Sequence, residues 1–120
     1  MKTEYKSIDA IDFEGLEIRD FTAGNKLSSS VAEIVVPPGA KHRTAWSKRS
    51  DKYYYVIEGG LSFVLENQAF ALEAGDCCFV LKGKRFSYQN GNSRPAKLLL
   101  VHTPNFKLSE EVFEDEVGVK

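Results

Sequence analysis

Two apolar runs, Tyr53-Tyr54-Tyr55-Val56-Ile57 and Leu61-Ser62-Phe63-Val64-Leu65, flank a Glu58-Gly59-Gly60 punctuation, which narrows the folds open to this chain. Aromatic and β-branched side chains suit a pleated surface. Two short runs of them around a glycine pair read as a β-hairpin, with glycine supplying the positive φ of a tight connection. A further turn at Glu66-Asn67-Gln68 leads into Ala69-Phe70-Ala71-Leu72, and Glu73-Ala74-Gly75-Asp76 turns into Cys77-Cys78-Phe79-Val80-Leu81. Strands recurring at roughly ten-residue spacing, each ended by a turn signal, predict an all-β sandwich or barrel.

The flanking segments extend the pattern. Leu16-Glu17-Ile18-Arg19-Asp20-Phe21 alternates apolar and polar, as a strand with one buried face does, and residues 22–30 are a Gly-, Asn- and Ser-containing loop. Val31-Ala32-Glu33-Ile34-Val35-Val36 is a strand stopped by Pro37-Pro38-Gly39, because proline cannot donate to a ladder. Residues 40–51 are the least strand-like stretch and the most basic. Phe86-Ser87-Tyr88-Gln89-Asn90 alternates again, and Leu98-Leu99-Leu100-Val101 fits a central strand. The acidic end, with Glu110, Glu111, Glu114, Asp115 and Glu116, is expected to be a frayed, solvated tail, with a short amphipathic helix using Val112 and Phe113 as the alternative.

The chain's 120 residues suffice for one domain with its own core. They divide into an N-terminal arm with strands (1–29), a barrel core (30–105) and the acidic tail (106–120). A formal net charge of −1 supplies no global drive toward nucleic acid or an anionic membrane. No apolar run approaches the ~18 residues of a membrane span, and the first residues lack a secretory apolar segment. The two cysteines, Cys77 and Cys78, are adjacent and on a strand point to opposite faces, so they do not pair. A cytoplasmic protein is expected.

Pro37-Pro38-Gly39, Tyr55-Val56-Ile57-Glu58-Gly59, Gly75-Asp76, Gly83 and Asn90 together resemble the cupins. The resemblance implies a double-stranded β-helix, or jelly-roll barrel, over about residues 30–105. The family's second motif carries a glycine, a proline, a glycine, a metal-binding histidine and an asparagine. Laid on Gly75, it places Leu81 at the proline, Phe86 at the histidine and Asn90 at the asparagine. The first motif, laid backwards from Gly59, places Lys52 at the ligand glutamate. Its two histidines fall on Trp46 and Lys48, or on Ala45 and Ser47 if the gap is longer. Neither register supplies a histidine, so no metal and no other cofactor is expected, because ammonium groups repel a cation and a phenyl ring has no lone pair. A displaced metal site built from His42, Asp51, Glu58 and His102 is the alternative.

Alternation puts Lys52, Tyr54 and Val56 on one inner face, Phe86, Tyr88 and Asn90 on another, and Trp46 with Lys48 on a third. Trp46, Lys48, Lys52, Tyr54, Arg85, Phe86 and Tyr88 are therefore the candidate ligand-binding residues. The plainer reading is that the rings simply fill the barrel. Lys41, Arg43, Lys48, Arg49, Lys52, Lys82, Lys84 and Arg85 make up half of the sixteen basic residues. The cupin fold would gather them at one mouth, so a small anionic metabolite is the expected partner. His102, with Tyr54 or Tyr88 as acid, is the candidate catalytic pair, since some metal-free cupins are sugar isomerases or epimerases. His42 is expected in a solvated loop. The third function class is a homodimerisation module, as in centromere-protein cupins, paired through the N-terminal arm or the strand ending at Phe21.

Overall fold

A computed structural model describes residues 1–114. Eleven strands follow in order: β1 (Ile11–Phe13), β2 (Leu16–Asp20), β3 (Ser30–Val36), β4 (Lys41–Ser47), β5 (Asp51–Glu58), β6 (Gly60–Leu65), β7 (Gln68–Glu73), β8 (Cys77–Val80), β9 (Phe86–Gln89), β10 (Ala96–Thr103) and β11 (Glu111–Phe113). They form two antiparallel sheets in the orders β1-β2-β3-β10-β5-β8 and β11-β4-β9-β6-β7. This is the jelly-roll architecture implied by the glycine pattern. β10 lies between β3 and β5, and its buried residues alternate strictly with half-buried ones along its length.

Three local expectations are corrected. The Gly59-Gly60 connection is not a hairpin: β5 belongs to one sheet and β6 to the other, so the chain turns a corner of the barrel there. Gly59 has φ +79°, and a Cβ on it would meet the Pro95 carbonyl at 2.6 Å and Ala96 Cα at 2.8 Å. Two backbone segments pass too closely for a side chain. Gly59→Ala is expected to cost more than ~1 kcal/mol in urea denaturation; an unchanged midpoint would show that the corner relaxes.

The basic stretch 40–51 contains β4, which pairs with β9. The acidic tail is ordered through Glu114: a 3₁₀ turn at Leu108–Glu110 leads into β11, which pairs with β4 through Glu111↔Ser47, Val112↔Trp46 and Phe113↔Ala45. Residues 115–120, including Asp115 and Glu116, lie outside the described residues.

The middle of the barrel is packed with rings. Phe63 lies 5.6 Å from Tyr54, 6.2 Å from Phe86 and 5.5 Å from Tyr88 between centroids. Asn90, 1% exposed, donates from its side-chain amide to the Val36 (2.9 Å) and Arg94 (2.8 Å) carbonyls. Its Oδ1 accepts from the Asn92 backbone at 2.8 Å. An apolar residue here would strand three backbone polar groups, which accounts physically for an asparagine at this motif position. The N-terminal arm is held on its own chain, with the Tyr5 hydroxyl donating to Glu33 at 2.9 Å.

Candidate functional site

Beside the packed rings the barrel keeps a cavity of about 280 Å³, walled by side chains from both sheets and from the segment after β10. Its surface is mostly apolar, from Phe13, Ile34, Leu100, Phe106 and Phe113. Into it converge His42, Lys52, Tyr54, Tyr88, His102 and Glu111. That is the usual make-up of a small-molecule site, an apolar wall with a few placed polar groups.

Lys52 on β5 sits at the centre, 4% exposed. Its Nζ donates to Nε2 of His102 at 2.8 Å and to Oε1 of Glu111 at 2.7 Å, and lies 5.5 Å from the Phe86 ring centroid. His102 stands directly opposite Lys52 in the β10–β5 ladder, whereas Glu111 arrives from β11, fifty-nine residues away in sequence. The side chains of the ion pair are 4% and 3% exposed. Burial pulls the Lys52 ammonium below its ordinary range, and the Glu111 carboxylate opposes that pull. His102 is held down to about 3, chiefly by burial and then by the Lys52 charge. It is therefore a neutral imidazole whose Nε2 accepts and whose Nδ1 carries the proton.

His42 lies on the inner face of β4 rather than in a solvated loop. Its ring is 5.5 Å from Phe13, 5.0 Å from Phe86 and 5.2 Å from Tyr88. The backbone reason is a β-bulge on β4. His42 pairs with Tyr88 and Ala45 with Phe86, so one extra residue lies between them on β4 and both face inward. A bulge shifts the side-chain period by one. Simple alternation from His42 would turn Trp46 and Lys48 inward; the bulge instead turns Ala45 (0% exposed) and Ser47 (2%) inward, and leaves Trp46 half-buried and Lys48 exposed.

Nδ1 of His42 lies 2.6 Å from the Arg43 carbonyl. A carbonyl only accepts, so Nδ1 carries the proton and Nε2 presents a lone pair. Burial lowers the basicity of His42, with the Lys52 charge acting in the same direction, so it too is neutral at pH 7. Opposite it, the Tyr88 hydroxyl is buried with no hydrogen-bond partner among the described residues, as is Oε2 of Glu111. Burial raises the pKa of both Tyr88 and Tyr54, so both remain protonated donors.

The other expected site residues separate. Phe86 is buried beneath Lys52 and contributes to the packed rings. Arg85 is exposed and paired with Glu114. Arg43 is paired with Glu14, and Arg49 donates to the side chain (2.6 Å) and backbone carbonyl (2.9 Å) of Asn105. Much of the basic mouth is thus already matched by acceptors on the same chain. The alternative metal set does not assemble either, because Asp51 accepts from the Lys82 backbone at 2.8 Å and Glu58 is exposed. Among the described residues, no three His, Cys, Asp or Glu side chains converge as ligands. The inner positions of Ala45, Ser47, Lys52 and Phe86 offer a methyl, a hydroxyl, an ammonium and a phenyl. This donor set does not fit the divalent ion of the family's motifs. Among the described residues, no helix is long and apolar enough to cross a membrane.

The family model of the cupin domain matches residues 32–102. The chain is a cupin. Among proteins similar to it is the uncharacterised protein MJ1618 of Methanocaldococcus jannaschii, 29% identical over 88% of both chains. The tetracenomycin polyketide synthase protein TcmJ of Streptomyces glaucescens is 30% identical over 64% of this cupin, which spans 52% of TcmJ. In the solved structure of Streptomyces PAC13 with uridine, 95% of this cupin superposes on 90% of that chain, with a TM-score of 0.83 and 21% identity. That likeness establishes a shared fold. Pac13 is described as a nucleoside dehydratase.

Proposed function

We propose that this cupin binds a neutral, hydroxylated small molecule of nucleoside size and acts on it by metal-free acid–base chemistry. The observation that carries the reading is the pairing of His42 and Tyr88 across one cavity wall. The first has a free, unprotonated Nε2 and the second an unsatisfied hydroxyl. An imidazole of that tautomer takes a proton from a carbon or hydroxyl, and a phenol donates to the oxygen that gains charge or leaves. Proton abstraction coupled to loss of water, or to its return elsewhere, is the reaction class such a pair serves. The Streptomyces neighbour supports a nucleoside as the first probe, since its variants with a histidine or a tyrosine replaced have been solved with uridine.

This assigns the base to His42 rather than His102, whose Nε2 is occupied by Lys52. It also favours a neutral ligand over the anion expected from the basic segments, because Lys52 is neutralised by Glu111. Thermal-shift screening with uridine, other nucleosides, free sugars and phosphorylated counterparts tests the ligand class. A shift with neutral compounds is expected, and one confined to phosphorylated compounds would overturn it. For a ligand that is turned over, His42→Gln should preserve the shift while lowering kcat by roughly 10²–10⁴. Turnover equal to the parent protein would remove His42 from the chemistry.

A further inference from the structure

The Lys52 cluster does something the acid–base pair does not require. One cation is gripped by an imidazole nitrogen and a carboxylate oxygen at 2.8 and 2.7 Å, with the lysine and glutamate side chains only 4% and 3% exposed. We infer that the Lys52 ammonium is a tethered substitute for a divalent cation, and that His102 and Glu111 are a latent pair of metal ligands.

The chemistry of the two donors supports this. A metal ligand must present a lone pair, so its histidine must be neutral and its carboxylate ionised. Nε2 of His102 and Oε1 of Glu111 both converge on the one positive charge, at 2.8 and 2.7 Å. Glu111 also holds a second oxygen in reserve, since Oε2 is buried without a partner. Metal–ligand bonds of about 2.0–2.2 Å would require each donor to close in by only about 0.5–0.8 Å. The missing third ligand is position 52 itself. A glutamate there is about one bond shorter than lysine, and a metal–oxygen bond of about 2.1 Å makes up the difference, so the ion would settle close to the place of Nζ.

The difference between the two cations has consequences for the cavity. A covalently attached ammonium cannot be chelated, lost or exchanged, and it carries one charge rather than two. With Glu111 bound it leaves the centre electrically neutral, while keeping a hydrogen-bond donor at the cavity wall. The prediction is that one substitution unmasks a metal site. Parent protein, Lys52→Glu and Lys52→Glu/His102→Ala are each titrated with Zn²⁺ and with Ni²⁺ by calorimetry, alongside thermal melting.

The parent should take up no ion in the cavity. Lys52→Glu should bind one ion per chain and melt higher with it. Adding His102→Ala should weaken binding by more than the roughly 10–100-fold that an outer partner of a metal site costs. Should the acid at position 52 prevent folding without metal, the ion restores the fold, which circular dichroism records. Lys52→His, which adds no charge, is expected to bind in the same way. Stoichiometric, chelator-reversible binding by the parent would overturn the inference. So would failure of both position-52 variants to bind or to be refolded by metal, or binding indifferent to His102. Metal uptake reads the Lys52 cluster alone, so a negative result leaves the role of His42 standing.

Discussion

Lys52→Met is expected to destabilise the fold by about 3–5 kcal/mol, whereas Lys52→Met combined with Glu111→Leu recovers all but about 1–2 kcal/mol of that loss. The single substitution fills the same space but leaves the Glu111 carboxylate buried with neither oxygen paired. An uncompensated buried charge costs that much. Removing both charges removes the desolvation penalty with the attraction, and what remains is His102 Nε2 without a donor. A urea-denaturation double-mutant cycle measures the coupling. Additive losses would mean that the two side chains are solvated and that β11 does not seal the cavity. The prediction applies particularly to β11, which is short and pairs with a single neighbour yet delivers a carboxylate to the centre.

The second large effect is a loss of stability on mild acidification. Burial holds both histidines below their ordinary value, His102 down to about 3. From roughly pH 6.5 downward the unfolded chain gains a proton on each imidazole that the folded chain refuses. Stability is therefore full above the unfolded value and falls as pH drops toward the folded one, by at most about 1.4 kcal/mol per pH unit per histidine. Between pH 6.5 and pH 5, His102 alone should account for about 2 kcal/mol, and His42 acts with the same sign. Urea denaturation across this range tests it. His102→Gln, whose side-chain oxygen still accepts from Lys52, should flatten the slope by about one proton. An unchanged slope would place the proton uptake elsewhere.

The fold was largely legible because its signals are local. Alternation marked β2, β3 and β9, glycine and proline marked the turns, and the spacing from Gly75 through Gly83 to Asn90 marked the barrel. The alternation that turns Lys52, Tyr54 and Val56 to one side was equally readable, and all three are buried. The site was legible only in part, because three of its determinants are not local. The β4 bulge depends on how that strand meets β9, and nothing within residues 40–51 announces it. Without the bulge, parity carried from His42 turns Trp46 and Lys48 inward; the longer-gap register on Ala45 and Ser47 is the one the bulge realises. His42 is misplaced because residues 40–51 read as a loop.

Glu111 belongs to a run of acidic residues whose composition reads as solvated; only its pairing with β4 buries it. The basic segments look like an anion trap until Glu14, Glu111 and Glu114 are found against Arg43, Lys52 and Arg85. Charge counts along a chain carry no record of which opposite charges the fold brings together. At Gly59 the sequence marked a sharp change of direction correctly, but local signals do not distinguish a hairpin from a corner between sheets.

The protonation state of the barrel's two histidines tests the central assignment most directly, and the chain contains no others. Two-bond proton–nitrogen correlation spectra of uniformly ¹⁵N-labelled protein, recorded from pH 8 to pH 5, report tautomer and titration for each ring. Both imidazoles are expected to stay neutral through most of this range, with the proton on Nδ1, His102 showing no titration at all. A His102 that titrates at its ordinary value, or carries its proton on Nε2, would contradict the bond from Lys52 and the cation-centred cavity built on it.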